Sequence, residues 1–142
     1  MILNNFLTMQ RIRELRYQPL TPQLVLDLHR LVSVETLDDP ADDGRLRSPG
    51  KEMVLDEAYG TVFQVPPPTE ELPERLEALC RFANGETPKV FIHPLVRAIA
   101  LHFWLACDHP LCDGNDRTAR ALSTRQCCTR AIGCSSSSRS SR

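Results

Sequence analysis

An apolar stretch from Pro94 to Cys107 runs directly into His109-Pro110-Leu111-Cys112-Asp113-Gly114-Asn115-Asp116-Arg117-Thr118-Ala119-Arg120. No other feature restricts the fold as much. Val96, Ile99, Ala100, Phe103, Trp104 and Leu105 place apolar groups on most sides of a helix, which predicts that it is buried. Pro110 pushes His109 toward extended backbone, so this helix ends there. Gly114-Asn115 turns the chain and a second helix begins. The chain must therefore bury one helix and hold a short polar loop between it and the next.

That loop carries chemistry. A histidine just past a helix end titrates near working pH and suits a general base. Asp113 is a hard oxygen donor of the kind Mg²⁺ takes together with phosphate oxygens. Gly114 lets backbone approach a ligand closely, and the first-turn amides after Asn115 face whatever lies in front. Arg117 and Arg120 are three apart, so they share a helix face and suit phosphate groups. Asp116 opposes this. It favours the positive end of the helix, yet at about 5 Å and an effective dielectric of about 20 it would repel a phosphate charge by up to about 3 kcal/mol.

The flanking sequence reads as helices with one strand pair. Ile2, Phe6, Met9 and Ile12 form an apolar stripe over residues 2 to 16, expected in the core. Thr21-Pro22 opens a helix to about Glu35, with Leu24, Leu28, Leu31 and Val32 inward and His29 at the surface or as a cap. An acidic loop with Pro40 and Gly44 follows. Residues 53 to 65 suit a hairpin turning around Ala58-Tyr59-Gly60 and stopped by Pro66-Pro67-Pro68. Thr69 to Ala83 reads as a helix ended by Asn84-Gly85. His93-Pro94 opens the apolar helix; His102 within it is expected to be a hydrogen-bonded core histidine. After Thr124 the periodicity fails, and Cys, Ser, Arg and Gly dominate, as in disordered segments.

The stretch from His109 to Arg120 resembles the signature of the Fic (Fido-fold) family, H-P-F-x-[D/E]-G-N-[G/K]-R-x-x-R. Thr36 to Pro40 with Gly44-Arg45-Leu46-Arg47, then Gly60 to Pro68, Phe91 to Pro94 and Leu101 to Ala106 are similar to that family in the same order. Leu111 stands where the family has Phe, and Asp116 where it has Gly or Lys. The resemblance implies an all-α, Fido-type helical bundle with one short β-hairpin flap. It implies transfer of AMP from ATP, with Mg²⁺, to a protein Ser, Thr or Tyr hydroxyl. By that likeness His109 is the base, Asp113 the metal ligand, and Gly114, Asn115, Asp116, Arg117 and Arg120 the nucleotide site. Gly60, Thr61, Val62 and Phe63 then form the target-docking flap.

The expected organisation is an N-terminal helix over 1–20, an incomplete Fido domain over 21–124, and a disordered Cys/Ser/Arg tail over 125–142. The abrupt change after Thr124 reads as an altered frame or shortened gene, and the family's inhibitory [S/T]-x-x-x-E-[G/N] motif is not found. Seventeen basic against eighteen acidic residues provide no field for nucleic acid or an anionic membrane. No apolar run reaches the roughly 18 residues of a membrane span, and no signal peptide is evident, so a cytoplasmic address with reduced cysteines is expected. Two other readings remain open. One is a catalytically inactive remnant that binds peptides; the other is a metal module using Cys107-x-His109-x-x-Cys112, whose spacing lacks a fourth ligand.

Overall fold

The computed structural model describes residues 2–50, 55–56 and 62–131. Five helices run in order: α1 (Ile2–Leu15), α2 (Pro22–Ser33), α3 (Leu72–Asn84), α4 (Pro94–Asp108) and α5 (Asn115–Ala131). Two short strands, β1 (Leu55–Asp56) and β2 (Val62–Gln64), lie between α2 and α3 and pair antiparallel. The expected helical bundle is therefore present. Residues 57–61, which would make the pair a hairpin, lie outside the described residues, as do Gly60 and Thr61 of the expected flap. Val62 and Phe63 are described as backbone of β2 only.

Local signals explain the helix boundaries. Thr21 caps α2 by accepting the Leu24 amide at 3.2 Å, with Pro22 in the first turn. His93 caps α4 through Nδ1, which accepts the Leu95 amide at 3.2 Å. Gly85 ends α3 in the left-handed region, where its missing side chain removes the usual strain. The core gathers Ile12, Leu28, Leu76, Leu79, Leu101 and Leu122 from all five helices. Leu111, the departure from the expected Phe, is fully buried, so the smaller side chain still anchors the loop.

Four expectations change. On α1 the inward stripe is Asn4, Thr8, Ile12 and Leu15, while Phe6 is 57 % exposed and Met9 is exposed as well. The polar positions turn inward because Asn4 donates to the Val34 carbonyl at 2.7 Å, beyond the end of α2. On α4 only one face is buried, through Ala98, Leu101 and Leu105. Leu95, Ile99 and Phe103 point outward, with Phe103 62 % exposed. His102 is half-buried against the edge of Phe103 rather than in the core.

The fourth change is the length of α5, which continues seven residues beyond Thr124. Arg125 and Gln126 are buried. Apolar periodicity is replaced there by side chain to backbone bonds onto the end of α1. Arg125 donates to the carbonyls of Leu15 and Gln18, and Thr129 donates to the Arg16 carbonyl at 2.9 Å. The Leu15 carbonyl belongs to the last turn of α1, whose carbonyls lack helical partners, and those of Arg16 and Gln18 lie just beyond it. The expected disorder of the remaining tail falls outside the described residues. Among the described residues no helix is long and apolar enough to cross a membrane.

Candidate active site

α4 and α5 pack against each other and are joined by the six residues His109 to Gly114, and this junction borders an open cavity of about 980 Å³. That is at the upper end of the roughly 300–1,000 Å³ usual for small-molecule sites. His109, Asp113, Gly114, Asn115, Asp116, Arg117 and Arg120 all line it, so the expected base, metal-ligand and nucleotide positions share one cavity, while the expected flap residues 60–63 are not among its described lining. Asn5, Thr8 and Met9 of α1, Val32 of α2 and Asp38 form the opposing wall.

The helix ends at His109 as expected, but the residue is not extended: it closes α4 in the left-handed region, with φ of 44° and ψ of 54°, a cap conformation that also avoids the αR backbone Pro110 disfavours. Its amide donates to the Leu105 carbonyl at 3.0 Å. Burial pushes the imidazole pKa below its ordinary 6.5. The nearby Arg47 guanidinium pushes the same way, while a hydrogen bond from the ring to the Ala106 carbonyl and the Asp113 charge push back. The net effect favours the neutral ring, the form that accepts a proton. Asp108, the last residue of α4, fixes the ground beneath it. Its carboxylate accepts from Arg75 Nε at 3.0 Å, Arg75 Nη2 at 2.7 Å and Trp104 Nε1 at 2.9 Å.

The phosphate side of the cavity begins at Gly114. Its carbonyl accepts the Thr118 amide at 2.9 Å, so it is the N-cap of α5, and Asn115 is the first helical residue. Gly114 has φ of +74°, and a Cβ there would sit 3.3 Å from the His29 ring. The next amides belong to a first helical turn, which has no internal acceptors for them. Together with the helix dipole they favour an anion. The Asn115 side chain is not part of that anion site; it is buried and closes the loop on Leu111.

The cations at this end already have carboxylate partners. Arg117 Nη2 pairs with Asp113 at 3.0 Å, and its Nη1 donates to the Thr36 hydroxyl. Arg120 pairs with Asp116, both side chains being largely exposed. The exposed Arg120–Asp116 pair contributes little, about 0–1 kcal/mol, and opens readily for a better anion, whereas Arg117, only 19 % exposed and bonded to Thr36, is held more firmly. Asp113 suits Mg²⁺ by donor type and position: its side chain is 51 % exposed on the cavity wall, beside the space phosphates would fill. Among the described residues no cluster of three His, Cys, Asp or Glu forms a metal cage, so the Cys107-x-His109-x-x-Cys112 spacing does not become one.

Two residues emerge that the sequence did not place in the site. Arg47 is buried and fastens the loop to the segment after β2. Its Nε donates to the His109 carbonyl at 2.9 Å, its amide to the Pro110 carbonyl at 2.8 Å, and its Nη2 to the Pro67 carbonyl. His29, expected at the surface, is fully buried under Gly114. It lies four residues after Val25 and three before Val32, on the same inward stripe. That spacing was a readable sign of burial.

Comparison with known proteins identifies the family and fold. Residues 19–127 match the model of the Fic/DOC family. Over 98 residues the chain is 33 % identical to a protein adenylyltransferase Fic of Nematostella vectensis. Over 98 residues it is 34 % identical to the protein adenylyltransferase fic-1 of Caenorhabditis elegans. These alignments cover 69 % of this chain, but only 20 % and 17 % of the relatives, so the chain spans about a fifth of their length. A Fic-domain-containing signaling protein from Bacteroides thetaiotaomicron superposes with a TM-score of 0.73 at 26 % identity, over 87 % of this chain and 45 % of that one. Residues 134–508 of C. elegans Fic-1 superpose with a TM-score of 0.70 at 25 % identity, over 90 % of this chain and 36 % of that one.

Proposed function

The chain belongs to the Fic/DOC family, and from that premise we propose that it is a protein adenylyltransferase acting on a Ser, Thr or Tyr hydroxyl. One observation carries the proposal. His109, Asp113, Gly114, Arg117 and Arg120 line a single cavity, together with the start of α5.

The reading assigns the steps as follows. The His109 imidazole takes the proton of the target hydroxyl, and the oxygen attacks the α-phosphorus of ATP. The bond from that phosphorus to the bridging oxygen of the β-phosphate breaks. Pyrophosphate leaves, and the protein carries AMP through a phosphodiester. The amides of Asn115 and its neighbours stabilise the negative oxygens of the α-phosphate. Arg117 and Arg120 exchange their carboxylate partners for the departing phosphates, for which guanidinium forks are well matched. Mg²⁺ held by Asp113 would neutralise charge between the phosphates. Transfer of this kind depends mainly on positioning and electrostatics. A target segment would reach His109 by adding as a strand beside β2.

Incubation of the protein with Mg²⁺, cell lysate and ATP labelled at either the α- or the γ-phosphate tests this. Adenylyl transfer predicts protein-bound label from α-labelled ATP only. Label from the γ-position, or from neither, contradicts it. The pairing of Arg120 with Asp116 and of Arg117 with Asp113 favours a second reading, a non-catalytic peptide-binding module. That reading predicts strand-like peptide capture with no label from either nucleotide.

A further inference from the structure

The imidazole most deeply placed near the cavity is not the proposed base. His29 lies on α2, 84 residues before Asp113 in sequence, and is fully buried. The Gly44 amide, which can only donate, points at His29 Nδ1 at 3.2 Å. Nδ1 is therefore the bare nitrogen, and in a neutral ring the proton sits on Nε2. Nε2 lies 3.1 Å from the Asp113 carbonyl, so it donates there. The same ring edge stands against Gly114, where a Cβ would meet Cδ2 and Nε2 at 3.3 Å.

We propose that His29 is a positioning residue for nucleotide binding: by bonding the Asp113 carbonyl and backing Gly114, it sets the turn that aims the α5 amides and the Asp113 carboxylate at the phosphates. The proposal rests on the cavity being a nucleotide site, as argued above. Its logic is local. The peptide joining Asp113 to Gly114 has one polar atom facing α2, and the His29 ring holds it. Without that bond the part-buried carbonyl loses its side-chain partner, and the Asp113–Gly114 turn is held only from within the loop and α5, by the Gly114 amide on Asp113 and the Gly114 carbonyl on Thr118, with nothing among the described residues tying it to α2. The Gly44 bond does a different job. It locks the ring's tautomer and orientation, much as a second partner orients a catalytic or ligating histidine.

Two conservative variants separate positioning from packing. In His29→Gln the side-chain amide reaches as far as Nε2 and can still donate to Asp113. In His29→Asn the shorter amide reaches the Nδ1 position only, keeping the Gly44 bond and losing Asp113. Calorimetric titration with Mg-ATP is expected to show near wild-type affinity for His29→Gln. For His29→Asn it should show about a tenfold loss, equivalent to about 1.4 kcal/mol. Hydrogen exchange reads the same point without nucleotide: the Leu111 and Asn115 amides should exchange about tenfold faster in His29→Asn than in His29→Gln, with the core amides of α4 alike in both. Equal exchange in the two variants overturns the proposal. Should the wild type bind no ATP while the exchange difference stands, the adenylyltransferase reading fails and the positioning role survives. Should both variants unfold, ring ¹⁵N shifts of the wild type decide. A protonated Nε2 with a bare Nδ1 supports the proposal, and the opposite tautomer overturns it.

Discussion

Asn115 grips Leu111 at both of its backbone polar groups. The Asn115 side-chain Oδ1 accepts the Leu111 amide at 3.0 Å, and its Nδ2 donates to the Leu111 carbonyl at 2.7 Å. Both residues are buried. The loop between α4 and α5 is thus a closed ring, and its turn is built before any ligand arrives.

That ring predicts a specific weakness. Asn115→Asp keeps the acceptor and loses the donor, leaving the Leu111 carbonyl facing a carboxylate. A buried polar group without its partner costs about 1–3 kcal/mol. The urea midpoint should fall accordingly with the slope unchanged, and an unchanged midpoint would show that the ring contributes nothing.

Asp108 makes a second test. It binds Arg75 through two nitrogens and Trp104 through one, directly before His109. Its side chain is nearly buried, whereas Arg75 is part-exposed. Hydrogen bonds to a charged group contribute about 1.5–3 kcal/mol, so Asp108→Ala should lose about that much stability in chemical denaturation. A loss no larger than that of a surface substitution would refute the assignment.

Asp116 is predicted to hold nucleotide affinity down. It lines the cavity and occupies Arg120, and the carboxylate also repels phosphate. Asp116→Asn keeps a polar first-turn residue and removes the charge. The Kd for ATP at low salt should fall by about tenfold, shrinking as salt rises to about 1 M, where screening is nearly complete. Equal Kd values for the two proteins would contradict it.

Burial lowers the pKa of both His29 and His109 below their ordinary 6.5. The unfolded chain therefore takes up protons first as the solution is acidified. The stability from keeping these rings neutral is present above 6.5 and is lost as pH falls through the lower folded values. Stability should decline from pH 7 to below 6, and His29→Gln should flatten part of the slope. For the same reason, kcat/KM should stay level down to pH 6.5 and fall only below it. A rise in stability on acidification would overturn the sign.

Contiguity decided what could be read from the chain. The residues from His109 to Arg120 reveal themselves because their chemistry lies within one turn and one helix start. The helices over Pro22 and Pro94 announce their N-caps locally and the one over Leu72 its Gly85 C-cap, though it begins three residues after Thr69, behind a 3-10 turn. His29 and Arg47 do not: their partners lie 84 and 62 residues away, and only packing brings them together. On α1 two stripes share the helical period, and spacing alone cannot tell which faces inward; Asn4 and Thr8 won through bonds the sequence does not display. The last two turns of α5 were missed because polar bonds to the α1 terminus take the place of apolar burial.

The central claim is that His109 acts on a proton and not on the nucleotide's hold. Wild-type protein and His109→Ala should be compared side by side for transfer of α-labelled AMP to protein and for ATP affinity by titration. The account predicts that the variant loses transfer and keeps its Kd within about threefold, a difference of less than about 1 kcal/mol. Transfer that persists without the imidazole would contradict it.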